Sequence, residues 1–351
     1  MHIILKVFWN AGESRLRAFW RLFGQFFTYG VLALLLETLV EALARGMLRA
    51  QAGVPQEALA NLESLQAYIF QTPILALFLW LALMVATFTS VWLAGRVFDR
   101  RPFTGFGFHF NPNWWVDFAF GIILGAGLIT SIFLVELTFG WVTIQSLLVT
   151  RQPGDSFGVL ILVALVTFVA IGFSEELLYR GYQLQNLAEG LNSRPLGPHL
   201  AILAAALISS CLFGVVHYLN NPHSSWLSSF NISLIGGFLL GMGYLLTGEL
   251  SIPIGVHIGW NFFQGNVYGF PVSGQDFGSA TFISPLQSGP GVWTGGAFGP
   301  EGGLLALGAA IAGGLLIILW VRRRYRKVSL YLPLAEAPLK AKARQSQGTK
   351  A

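Results

Sequence analysis

Long apolar runs alternate along this chain with short polar connections. A helix rises 1.5 Å per residue, so about 20 apolar residues are needed to cross the hydrocarbon core of a bilayer. Eight runs meet or approach that length: 20–43, 72–95, 115–139, 157–185, 199–219, 226–247, 251–268 and 303–321. The seventh is short and carries His257, Asn261 and Gln264, and the fourth ends in polar residues. The pattern predicts an all-α, polytopic membrane helix bundle of about eight transmembrane helices. Residues 265–300, rich in Gly, Pro and Ser, read as an external loop. Residues 1–18 read as a helix lying on the membrane surface, with Lys6, Arg15 and Arg17 between Phe8, Trp9 and Leu16, or as a flexible leader. Residues 328–351 read as a disordered polar tail. The implied division is an N-terminal cytoplasmic segment (1–18), a transmembrane domain (19–321) and a basic cytoplasmic tail (322–351).

Composition supports the membrane reading. The chain is 54% hydrophobic and 11% charged, against about 25% charged in a typical soluble domain. The single cysteine, Cys211, excludes an intramolecular disulfide and any Cys-cluster metal site. Its apolar neighbours suggest a buried small hydrophobe. The net charge of +5 is modest and gathers toward the C-terminal end. It suggests membrane orientation rather than nucleic-acid binding. No cleavable signal peptide is expected.

Charge also sets the orientation. Eight spans put both termini on one side. Of the 21 Lys and Arg, only Arg45, Arg49 and Arg151 would fall on the other, and Arg180 lies within a span. The positive-inside rule places both termini in the cytoplasm, with a bacterial plasma membrane as the expected location. Trp114, Trp115 and Trp320 lie at span ends, where amphipathic rings favour the interface. No internal repeat is evident.

An ionisable side chain deep in the bilayer costs roughly 2.5–3.5 kcal/mol on insertion scales, so it needs a partner or a water-filled cavity. Arg21, Glu41 and Asp117 lie at span ends, where headgroups can solvate them. Glu37 and Glu136 lie deeper and read as structural hydrogen-bonding groups. His2, His109, His199 and His223 fall in loops or at span edges and receive no role.

Three stretches remain. In Ser174-Glu175-Glu176-Leu177-Leu178-Tyr179-Arg180-Gly181, the i, i+4 spacing pairs Glu176 with Arg180 and leaves Glu175 to face something else. A carboxylate in a poorly solvated cavity is a competent general base near neutral pH. The bland alternative is an interfacial helix end with a structural ion pair. In Phe213-Gly214-Val215-Val216-His217, Phe213 and His217 share a face and Gly214 permits close helix approach. The bland alternative is a histidine at the outer interface. In His257-Ile258-Gly259-Trp260-Asn261, His257 and Asn261 lie one turn apart, and Gly259 is expected to keep the surface open. The bland alternative is interhelical hydrogen bonding.

Together these stretches supply a carboxylate pair, an arginine, two histidines and an amide. That inventory suits water-mediated peptide hydrolysis. Two histidines and a carboxylate could also hold zinc with an open position.

In these residues the chain resembles the CAAX protease and bacteriocin-processing (CPBP, or Abi) family of intramembrane proteases. The family pattern is two glutamates with an arginine four residues after the second, then Phe-x-x-x-His, then His-x-x-x-Asn. Here it reads Glu175, Glu176 and Arg180; Phe213 and His217; His257 and Asn261. The resemblance covers about 155–270, and Thr294–Gly302 also looks like bacterial members. It implies an intramembrane endopeptidase acting on a membrane-associated peptide or protein with Glu175-activated water. His217 would help activate that water. His257 and Asn261 would stabilise the oxyanion, and Glu176 and Arg180 would orient the site. It implies either no cofactor or a divalent metal such as zinc, with Glu175, His217 and His257 as the candidate ligands of a metalloprotease. No His-Glu-x-x-His helix is present. Two other functions use the same residues: a non-enzymatic membrane immunity or scaffold protein, and a proton-coupled transporter.

One geometric tension accompanies this reading. Counting along straight spans puts Glu175 toward the cytoplasmic side and His217 toward the outer side. A shared site then requires the fifth helix to begin outside the bilayer, to tilt strongly or to be broken.

Overall fold

The computed structural model describes residues 7–50 and 61–338. Among these, seven helices are long and apolar enough to cross a membrane. They are α1 (Ala18–Ala50), α3 (Pro73–Asp99), α4 (Pro112–Thr138), α5 (Phe157–Leu191), α6 (Gly197–Leu219), α7 (Trp226–Thr247) and α9 (Leu304–Tyr325). A shorter helix, α2 (Leu62–Gln71), precedes α3; it lies outside the eight expected runs. Asn61 caps it by accepting from the Ser64 N–H at 3.1 Å.

The expected span 251–268 is α8 (Ser251–Phe262), continued by a π-helical turn over Phe263–Val267. It is about 25 Å long at 1.5 Å per residue. Ser251 through Asn261 are all buried, so α8 is the central helix of the bundle. Its neighbour is α4, which runs parallel to it. Gly121 and Gly125 of α4 meet Gly255 and Gly259 of α8 backbone to backbone. A Cβ on Gly125 would collide with the Val256 carbonyl, and one on Gly259 with the Ile122 carbonyl. The small-xxx-small spacing on both helices is what lets them approach so closely. Gly259 therefore fits α8 to α4 and does not keep the site open: i, i+4 from Gly255, it shares that residue's face and not the face of His257 and Asn261.

Both ends of the described chain lie at one face of the bundle. Residues 9–16 form a small hairpin, β1 (Trp9–Asn10) with β2 (Arg15–Leu16), where a surface helix or a leader was expected. Arg15 is buried and pairs with Glu189 of α5 at 2.7 Å. Arg21 pairs with Asp99 at 2.9 Å and with Glu189 at 2.8 Å, and Arg101 also pairs with Glu189. Tyr182 donates to Asp99 at 2.8 Å. Arg21 is thus solvated by protein groups rather than by headgroups. The same holds for Asp117, which is buried, accepts from Trp320 Nε1 at 2.9 Å and lies 3.1 Å from Arg324 Nε. Beyond α9, residues 328–338 fold back where a disordered tail was expected, and the rest of that expected tail, 339–351, lies outside the described residues. Leu334 and Ala335 are buried against the hydrophobic core, and Asn192 donates to the Ala335 carbonyl at 2.8 Å.

At the opposite face, β3 (Val142–Thr150) pairs antiparallel with β4 (Ala280–Gln287), so the expected outer loop supplies one strand of a β-ribbon. Glu136 finds its partner there: Gln287 donates to it at 2.8 Å. Cys211 is exposed rather than buried, on a stretch of α6 where Leu207, Leu212 and Val215 also face outward.

Candidate active site

Helix α5 explains how the motif residues meet. It continues through a π-helical stretch, Leu177–Leu184, to Leu191, beyond the expected end at 185. The extra residues raise Glu175 away from the chain-end face. Ser209 of α6 donates to the Tyr179 carbonyl at 3.0 Å and to Gln183 at 2.9 Å. That register, followed along the antiparallel helices, brings Glu175 to the level of His217. The depth conflict is therefore removed by the length of α5 and not by a break in α6.

A cavity of about 160 Å³ lies between α5, α6, α7 and α8. Glu175, His217, His257 and Asn261 all line it. The Glu175 side chain is 23% exposed, whereas Glu176 has none of its surface exposed. Arg180 Nη1 donates to Glu176 Oε1 at 2.8 Å, as their spacing predicts. Arg180 Nη2 donates to the Gly236 carbonyl of α7 at 2.9 Å. Its guanidinium also lies 4.6 Å above the Phe213 ring, a cation–π contact. Phe213 in turn packs edge-on against Tyr179 and lies 4.4 Å from the His217 ring. The phenylalanine of Phe-x-x-x-His is thus a platform between the arginine and the histidine. Gly214, behind it, admits Ser229 and Ser233 of α7.

The histidines differ in their bonding. His217 Nδ1 lies 2.8 Å from the Phe213 carbonyl, which can only accept. Nδ1 therefore carries a proton, and Nε2 is the ring nitrogen left without a partner on this helix. His257 Nδ1 lies 2.7 Å from Glu176 Oε1, and its Nε2 lies 3.8 Å from Glu175 Oε2. The first contact requires a proton on Nδ1, because a carboxylate only accepts.

Glu301, buried in the short turn before α9, also lines the cavity and received no role from sequence. Its Oε2 accepts from the Ser273 N–H at 2.6 Å and from the Ser273 hydroxyl at 2.9 Å. The surrounding glycines allow this. Gly295 and Gly299 hold φ of +79° and +96°, and a Cβ on either would strike a neighbouring carbonyl. The similarity of Thr294–Gly302 to bacterial relatives was the available signal, but only the folded loop shows that its carboxylate reaches the cavity.

Glu175, His217 and His257 are the candidate ligands that the sequence offered for a metal. Among the described residues, no group of three or more His, Cys, Asp or Glu is arranged to hold a metal ion. The Nδ1 atoms of both histidines are engaged, with Phe213 and with Glu176, which leaves Nε2 as the ring nitrogen of each that could ligate.

The fold and cavity define a polytopic membrane protein with a carboxylate, two histidines and an amide gathered around one cavity between its helices. Residues 157–263 match the family model described as Type II CAAX prenyl endopeptidase Rce1-like. No curated protein and no solved structure matches the chain. The matched segment contains Glu175, Glu176, Arg180, His217, His257 and Asn261. It supports an intramembrane protease kind of function, in agreement with the resemblance to the CPBP family drawn from the motifs.

Proposed function

We propose that the chain is an intramembrane endopeptidase that hydrolyses a peptide bond of a membrane-associated substrate with water activated by Glu175. The observation that carries this reading is the division of labour between adjacent glutamates. Glu176 is fully buried and bound to Arg180 and His257, while Glu175 is free to face the cavity beside His257 Nε2.

In the proposed reaction, the Glu175 carboxylate takes a proton from water held by His217 Nε2. The hydroxide attacks the carbonyl carbon of the scissile bond, and the carbonyl π electrons move to its oxygen. Asn261 and His257 donate to that oxyanion. For His257 to donate from both nitrogens it must be an imidazolium, and Glu175 and Glu176 provide the countercharge on either side. Collapse of the tetrahedral intermediate breaks the C–N bond. Glu175 returns its proton to the leaving amine, and a carboxylate and an amine are released.

The test is cleavage of a membrane-anchored fluorogenic peptide by purified protein, compared with Glu175→Gln. Cleavage that survives the substitution would refute the assignment of the base. Absence of cleavage in the wild-type protein, with Glu175→Gln folded and still functional in a biological assay, would favour the scaffold reading.

A further inference from the structure

We propose that the cavity is served from the face opposite both chain ends, and that its substrates are outward-facing, juxtamembrane segments of anchored or exported peptides. This rests on the peptidase reading above and adds to it the direction of access and the substrate class.

Four observations support it. The first is the roof of the cavity. Asn220 and Asn221 follow α6, Ser273 and Gln275 follow α8, and Glu301 precedes α9. All belong to connections at the ribbon face. The second is a larger cavity of about 660 Å³ beside the first. It shares Asn220, Asn221, Gln275 and Phe277 with the site, and its outer wall carries Arg151 and Gln152. Between the two, Asn221 Nδ2 donates to the Ser273 carbonyl at 2.7 Å, and Glu301 holds Ser273 from the other side. A Cβ on Gly274, where φ is +75°, would collide with the Asn221 side chain, so the constriction is closely fitted.

The third observation is that the other direction is filled. Below the glutamates, Leu177, Phe106, Phe108, Tyr182 and Tyr244 form a core with no exposed surface. Beneath that core lies the ion cluster of Arg21, Asp99 and Glu189. A peptide coming from the chain-end face would have to disrupt both.

The fourth is charge. Among the described residues, the basic side chains outside the site lie at the chain-end face, with Arg45, Arg49 and Arg151 as the exceptions. The positive-inside rule makes the chain-end face cytoplasmic and the vestibule external.

The substrate class follows from the two linings. Trp80, Phe168, Ile171 and Val256 give the inner cavity apolar walls. The vestibule offers Arg151, Gln152, His223, Gln275 and Asp276. A segment that bridges them needs apolar residues at the scissile bond and a polar flank in water. Peptide next to an outer-leaflet anchor has that composition.

The experiment uses full-length protein in a Cys211→Ala background with single cysteines Gln152→Cys, at the vestibule lip, and Ser193→Cys, at the chain-end face. A membrane-impermeant maleimide should label Gln152→Cys in intact cells and Ser193→Cys only after lysis. The reverse pattern would overturn the external assignment. A bulky maleimide on Gln152→Cys should then reduce cleavage of an acylated fluorogenic peptide to background, relative to the same variant unlabelled. Blocking by the label at Ser193→Cys, and not at Gln152→Cys, would overturn the access route while leaving the peptidase reading intact. External labelling of Gln152→Cys with no cleavage by any unlabelled variant would remove the substrate class together with the peptidase reading.

Discussion

His257 Nδ1 and Arg180 Nη1 share one acceptor, Glu176 Oε1, at 2.7 and 2.8 Å. A single carboxylate oxygen thereby fixes the orientation of an imidazole on α8 and of a guanidinium on α5. Glu176→Gln keeps an acceptor atom but removes the charge opposite a buried arginine. Loss of a buried ion-pair partner costs roughly 3–5 kcal/mol. The expected result is a clearly lowered unfolding temperature in detergent together with reduced cleavage. An unchanged unfolding temperature would show that Arg180 does not depend on this pair.

Glu175 should behave differently. It is partly exposed, and its ion-pair contact, with His257 Nε2, is long at 3.8 Å. Glu175→Gln should leave thermal unfolding nearly unchanged while lowering the cleavage rate by about 10²–10⁴-fold, the range for loss of a general base. Parallel loss of stability and activity would instead mark Glu175 as a structural group.

Glu301 provides a pH test. Burial pushes its carboxyl above the ordinary carboxylate range, against the opposing pull of the Ser273 hydrogen bonds and of His217 and His257. The native state therefore holds this proton more tightly than the unfolded chain. The resulting stabilisation is complete below the unfolded value near 4.5 and is lost as pH rises through the higher native value. Glu301→Gln retains an acceptor for Ser273 but cannot ionise. The stability of the wild-type protein relative to this variant should fall as pH rises from about 4.5 toward neutrality. Unfolding temperatures of the two proteins across that range measure it, and a constant difference would contradict the assignment.

The contact between α4 and α8 predicts a purely steric effect. Gly255→Leu places a side chain against the Phe118 carbonyl. Overpacking of this kind typically costs 1–3 kcal/mol, and more where backbone must separate. Gly127→Leu, on the same α4 helix but with open space around its Cα, should be close to neutral. Equal effects in thermal unfolding would show that the two helices do not meet at these glycines.

Much of the molecule was legible from the chain alone. The length and apolarity of 72–95 or 226–247 dictate membrane helices, because a backbone in lipid has few other ways to satisfy its polar groups. The i, i+4 spacing of Glu176 and Arg180 dictates their pairing, because a helix puts them on one face. The cost of placing ionisable side chains inside apolar helices pointed to the three motif stretches. Local periodicity determined all of this. Only the tertiary structure decided the rest, since it depends on contacts between residues far apart in sequence. The level of Glu175 against His217 depends on where α5 ends. The orientation of Gly259 depends on α4 lying beside it. Strands β3 and β4, separated by more than a hundred residues, had no local turn to announce their pairing. Glu301 reaches the cavity only because Gly295 and Gly299 let the chain fold tightly over Ser273. A helix or a turn can be read from its own residues, but which of its faces meets which neighbour is set by packing of the whole bundle.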